Sequence, residues 1–259
     1  MHALRWGNRG APPLVLLHGA GANAHWWRHL APSLAERFHV IALDFRGHGD
    51  SDRPAERFSG AFEQDLRAVL DEMGAESPVL IGHSLGAHVA LAYAAQNTEI
   101  RAVVLVDPAR GVSASRSRAT RLALSLNPSY ATRERAERRF RFLPGAAQAS
   151  EALRKAIAQE SVEQQPDGRW GFKFDERWFS LPPTERPDAS RVRCPVLIVR
   201  GADSPLLTPE GAAALADDLP IARVTEIEGS GHHVIIDQPE RWLATVTAFL
   251  DEVAPSGPL

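Results

Sequence analysis

Five short apolar runs, each ending on histidine, glycine, aspartate or arginine, constrain this chain more than any other feature. Leu14–Leu17 stops at His18-Gly19, Val40–Leu43 at Asp44, and Val79–Ile81 at Gly82. Val103–Val106 stops at Asp107-Pro108, and Pro195–Val199 at Arg200-Gly201. Runs of this length that are apolar at every position read as strands covered on both faces, the condition of a parallel sheet. Between them, residues 26–37, 58–73, 85–97, 209–217 and 239–253 carry helical patterns. Pro209 and Pro239 stand where proline suits a first helical turn. Strand alternating with helix predicts an α/β fold: a mostly parallel open sheet flanked by helices, with right-handed crossovers.

The rhythm breaks between residues 110 and 186. This stretch holds helical patterns near 132–142 and 150–164, then PDGRWGFKFD, which reads as a turn and a short extended segment. We assign 1–109 and 187–259 to one core domain and 110–186 to a mainly helical cap insertion lying over the strand ends. Charge divides along the same line. The insertion has 15 Lys+Arg against 9 Asp+Glu, a net +6, and the remainder is at −9. Glu134–Arg138 and Glu137–Arg141 are spaced to pair on one helix face. The total of −3 gives no reason to expect a nucleic-acid partner. A composition of 44% hydrophobic and 24% charged residues excludes global disorder. The single Cys194 forbids an internal disulfide. No window approaches the roughly 18 apolar residues of a membrane span, and MHALRWGNRGAPP lacks the apolar run of a secretory signal. These features predict a soluble, cytoplasmic monomer or homodimer.

The chemistry centres on Gly82-His83-Ser84-Leu85-Gly86, which follows an apolar run and opens the small-residue helix LGAHVALAYAAQ. A serine raised on a tight strand-to-helix turn leaves no room for side chains two positions either side. Ser84 is therefore the candidate nucleophile. It needs a base to take its proton. Glycines at 229 and 231 favour His232 over its neighbour His233 as the residue ending a tight loop before the last helix. An acid must then fix the imidazole tautomer. Asp203, just past the strand ending at Arg200-Gly201, is preferred to Asp107, which has a similar place one strand earlier. Backbone amides of Leu85 and of Ala20, within His18-Gly19-Ala20-Gly21-Ala22, are the expected oxyanion donors. Trp26, His83, Trp178 and His233 are further candidates for substrate contact. His25 and His29, four apart, lack the cysteine or acidic neighbours of a zinc site, so no metal is expected. Asp44 and Arg46 are read as braces of the FRGHGD loop, and His48 as structural.

Six segments in order, LVLLHGAGA, VIALDFRGHGDSDRP, VLIGHSLGAHVAL, VLVDPA, CPVLIVRGAD and EGSGHHVIIDQPERW, resemble the α/β-hydrolase family over residues 4 to 252. The resemblance implies a sheet of the eight-stranded type, a cap over the site, and Ser84/Asp203/His232 chemistry without metal or organic cofactor. Members of the family with a carboxylate nucleophile are set aside, because position 84 is serine. The expected activity is hydrolysis of small to medium carboxylic esters or lactones. One alternative keeps the triad and cleaves a carbon–carbon bond in ring-fission diketone acids, whose carboxylates would suit the basic insertion. Another, of a different class, is a ligand-binding receptor without turnover.

Overall fold

The computed structural model describes residues 1–111, 119, 122–123, 125–146, 148–180 and 187–254. Seven strands form one sheet: β1 (Ala3–Trp6), β2 (Pro13–Leu17), β3 (His39–Leu43), β4 (Val79–His83), β5 (Ala102–Val106), β8 (Val196–Gly201) and β9 (Ala222–Ile227). Their order is β1-β3-β2-β4-β5-β8-β9, with β1 antiparallel to β3 and every other pair parallel. The eight-stranded type implied by the resemblance is thus seven-stranded among the described residues. All residues of β3, β4, β5 and β8 are buried, as continuous apolar runs require.

Alternate strand residues supply two separate cores. Leu14, Leu16, Val40, Ile81, Val104 and Leu197 face one layer, while Val15, Leu17, Ile41, Leu80, Val103 and Ile198 face the other. Against the first pack a 3₁₀ turn at Ala24–Trp27, α1 (Ala31–Leu34) and, through Trp242, Val246, Phe249 and Leu250, the last helix at Pro239–Val253. Against the second lie α2 (Ala61–Met73), α3 (Leu85–Ala94) and the helix at Pro209–Asp217. The two prolines begin their helices as expected.

The single helix expected over 26–37 is instead two short pieces. Pro32 sits at the start of α1, where its missing amide is tolerated, but it could not continue a helix from Trp27. The pattern at 58–73 becomes helical only at Ala61, after Gly60 in a left-handed conformation (φ 86°).

Between β5 and β8 come α4 (Arg133–Arg139), α5 (Glu151–Glu160) and an antiparallel pair, β6 (Val162–Gln164) with β7 (Trp170–Phe172). Thr132 and Ser150 cap the two helices through their hydroxyls. The pattern at 150–164 stops at Glu160 because Ser161 turns its hydroxyl back to the Ile157 carbonyl and the chain enters β6. On α4 the pair that forms is Arg133 with Glu137, 2.7 Å, one position off the pairs read from the sequence. This segment rests on the loops after β2 and β3. Asn23 donates to the Glu160 carbonyl, Lys173 meets Asp50 at 2.7 Å, and the Asp175 amide donates to the Gly47 carbonyl. Among the described residues no helix is long and apolar enough to cross a membrane. After β8 come α6 (Pro209–Asp217), α7 (Val234–Asp237) and α8 (Pro239–Val253).

Candidate active site

The carboxyl ends of β4, β5 and β8 bring the candidate residues together. Ser84 links β4 to α3 with φ 52° and ψ −110°, a strained conformation outside the regions that L residues ordinarily occupy. Its amide is held by the Val106 carbonyl at 2.9 Å. A Cβ at Gly82 would run into the Gly86 backbone, and one at Gly86 into the Leu17 carbonyl. Both glycines are thus required by close backbone approach, which lifts Ser84 onto the rim of a cavity of about 40 Å³. Its lining includes Gly19, Ala20, Trp26, His83, Ser84, His232 and His233.

His232 is nearly fully buried and its Nδ1 lies 2.8 Å from Asp107 Oδ1. A carboxylate oxygen only accepts, so Nδ1 donates and Nε2 keeps its lone pair for a proton. Asp107 is completely buried, with a left-handed φ of 48°. Its Oδ1 also accepts from the Ser204 hydroxyl at 2.6 Å, and Oδ2 from the Gly201 amide at 2.9 Å. The acid against His232 is therefore Asp107 and not Asp203. Asp203 is exposed at the turn after β8, its amide spent on the Ser230 carbonyl. The left-handed turn at the end of β5 aims the Asp107 carboxylate at the His232 loop, while Asp203 lies one turn further along its own loop, facing solvent.

Around this pair stand two more buried histidines. His83 Nε2 donates to the His232 carbonyl at 3.0 Å, fixing that loop against β4. Burial, and then the nearby His232, push its pKa down to about 3. Burial does the same to His233, followed by the neighbouring His232 and His83, and holds it well below the usual histidine range. Both rings are neutral near pH 7. The loop carrying Ala20 is braced from beneath. His18 Nδ1 donates to the Gly19 carbonyl at 2.7 Å while its Nε2 accepts from the Phe45 amide at 3.1 Å. Asp44 holds the Ala24 amide at 2.6 Å and the Asp50 amide at 3.0 Å, and Arg46 forms a two-nitrogen contact with Asp65. His48 lies beneath the loop, its Nδ1 on the Arg46 carbonyl, and does not line the Ser84 cavity.

Trp26 does reach the site, with its ring 5.5 Å from His233 and 5.1 Å from Phe142. Trp178 does not: it packs on Phe62 at 4.8 Å, beneath the His48 loop. Sequence reasoning missed Leu143 and Leu206, which complete the cavity wall. Both sit in irregular segments with no motif to single them out. Beyond Phe142 lies a larger groove of about 650 Å³ between α4 and α5, lined by Arg138, Arg141, Arg154 and Lys155 together with Glu134, Glu137 and Glu151.

Residues 12–239 match the family model described as the alpha/beta hydrolase fold. The chain belongs to the α/β-hydrolase family. It is a hydrolase by that membership, and characterised relatives include a hydrolase and an esterase. It is 29% identical, over 94% of its length and 90% of the relative's, to a 2-(acetamidomethylene)succinate hydrolase of Mesorhizobium japonicum. It is also 29% identical to an esterase of Mycobacterium tuberculosis, over 96% of this chain and 86% of that one. Among solved structures, an alpha/beta hydrolase from Novosphingobium aromaticivorans superposes with a TM-score of 0.81 at 26% identity, covering 97% of this chain and 98% of the other.

Proposed function

We propose that this hydrolase cleaves small to medium carboxylic esters or lactones through an acyl-enzyme on Ser84. The observation that carries the reading is the buried Asp107–His232 hydrogen bond opening on the cavity that Ser84 lines. In this reading the Ser84 hydroxyl attacks the carbonyl carbon as His232 Nε2 takes its proton. The alcohol departs with that proton, and water then attacks the acyl carbon with His232 again acting as base. Asp107 keeps His232 in the Nδ1–H tautomer and stabilises its cation. Leu85 opens α3, so its N–H has no partner inside the helix, and it would share the developing oxyanion with the Ala20 amide. Segment 110–186 would act as the cap, with Phe142 between the groove and the Ser84 cavity. No cofactor enters any step of this scheme.

A second reading, cleavage of a carbon–carbon bond in a ring-fission diketone acid, draws support from the cations lining the groove. The similarity to a relative whose named substrate is a substituted succinate also favours a substrate bearing carboxylates. A hydrolysis screen over p-nitrophenyl esters, lactones and vinylogous diketone acids, with Ser84→Ala as control, separates these readings. Ester or lactone turnover lost by about 10⁴-fold or more in Ser84→Ala supports the first. Turnover confined to the diketones supports the second. Tight ligand binding without turnover of any class would mean a receptor and overturn both.

A further inference from the structure

Three imidazoles meet in the Ser84 cavity, and only one of them is needed as a base. One ring nitrogen from each of His83, His232 and His233 lies within 4.8 Å of the other two, and all three residues are buried. Their hydrogen bonds fix which nitrogens carry lone pairs. His83 Nε2 donates to a carbonyl, so its Nδ1 is unprotonated, and that atom has no hydrogen-bond partner. His232 Nδ1 donates to Asp107, so its Nε2 is unprotonated. Neither nitrogen of His233 has a partner of ordinary hydrogen-bond geometry, although the Leu143 and Pro144 carbonyls lie nearby. Buried polar atoms left unsatisfied call for an explanation, an ion or a water being the usual one. Space is kept beside them: a Cβ on Gly19 would approach His83 Nδ1 to 2.8 Å, and the glycine leaves that volume open.

We propose that His83 Nδ1, His232 Nε2 and a ring nitrogen of His233 form a binding site for a divalent transition-metal ion of the zinc class, and that its occupancy inhibits the enzyme. Three neutral imidazoles with a fourth position left open are a donor set suited to such ions. At metal–nitrogen distances of about 2.1 Å, two ligand atoms stand at most about 4.2 Å apart. The set closes by rotation of the His233 ring, which no strong hydrogen bond restrains. A cavity of about 40 Å³ accommodates one ion with one water or the Ser84 hydroxyl. Binding transfers no proton, because each lone pair is already present. Inhibition follows because the lone pair that would take the Ser84 proton is held by the metal. The inhibition rests on the role proposed for His232, whereas the binding does not.

The test is calorimetric titration of ZnCl₂ into chelator-stripped full-length protein, in parallel with Co²⁺ absorption spectra. Wild type should bind one ion per chain and give the intense visible bands of four-coordinate Co²⁺. His83→Gln keeps an amide nitrogen to donate to the His232 carbonyl but has no Nδ1, and should weaken binding by about tenfold or more, as should His233→Gln. Ser84→Ala should still bind. His2→Gln, in the other cluster of potential ligands with Asp44 and Asp50, should leave this site unaffected. Zinc should stop ester turnover and a chelator restore it. Absence of stoichiometric heat with only the weak spectrum of hydrated Co²⁺ overturns the proposal. So does binding that survives both histidine substitutions at the Ser84 cavity and disappears in His2→Gln. Should no ester be turned over at all, the ester-hydrolase reading fails while heat and spectra still decide this one.

Discussion

Asp107 is a buried carboxylate with no Lys or Arg ion pair among the described residues, and three donors hold it there: the Ser204 hydroxyl, the Gly201 amide and the His232 ring. Such a group orients and stabilises the imidazole rather than acting by itself. Asp107→Asn should therefore lower kcat by about 10⁴-fold, because the amide can stabilise the wrong His232 tautomer. Asp203→Asn should change kcat/KM by less than about twofold, since Asp203 is exposed and its side chain holds none of the site. Steady-state kinetics on the two variants checks both, and loss confined to Asp203→Asn would reverse the assignment. The sequence places both aspartates at strand ends and favours Asp203, whereas the structure sets Asp107 against His232. The choice depends on a positive φ at Asp107 and on which loop turns toward His232, neither of which leaves a mark on residue type. His232 was easier to pick, because Gly229 and Gly231 flank the loop that delivers it.

At the scale of elements, the β4–Ser84–α3 turn was the most legible part of the chain. Its demands are local: two glycines where α3 crosses close over β4 and β2, and a small-residue helix that can lie against the sheet. Gly86→Ala should cost about 1–3 kcal/mol in urea denaturation, because its methyl meets the Leu17 carbonyl and the helix must shift. The segment between β5 and β8 was less legible. Periodicity marks α4 and α5, but their Thr132 and Ser150 caps and the inward aim of Phe142 come from the folded structure. Phe142 stands against both Trp26 and His233, between the groove and the smaller cavity. Phe142→Ala should raise kcat/KM for long-chain p-nitrophenyl esters relative to the acetate. An unchanged chain-length profile would place the acyl group elsewhere.

Across the whole molecule, burial lowers the pKa of seven histidines and holds four fully buried ones most firmly neutral. His18 is pushed down to about 4, His48 and His83 to about 3, and His233 well below the ordinary range, in each case chiefly by burial. Below about pH 6.5 the unfolded chain takes up protons that the folded one refuses, so stability is full above that pH and declines as pH falls toward the folded pKa values. Each such histidine contributes about 1.4 kcal/mol per pH unit in that window. Thermal unfolding should therefore shift to lower temperature between pH 7 and pH 5. His48→Gln, which removes one of the four from beneath the site, should show a smaller drop, and an equal drop would mean that His48 is charged when folded. The opposing charges of the insertion and the remainder, +6 and −9, are plain in the sequence, but the groove between α4 and α5 is not. The proposed chemistry depends on Ser84 being a nucleophile activated by the Asp107–His232 pair. Intact-mass analysis after treatment with a fluorophosphonate, followed by peptide mapping, tests this most directly. One adduct on Ser84, absent in Ser84→Ala and much slower to form in Asp107→Asn, is the predicted result; an unmodified folded wild type, or an adduct at another residue, would contradict it.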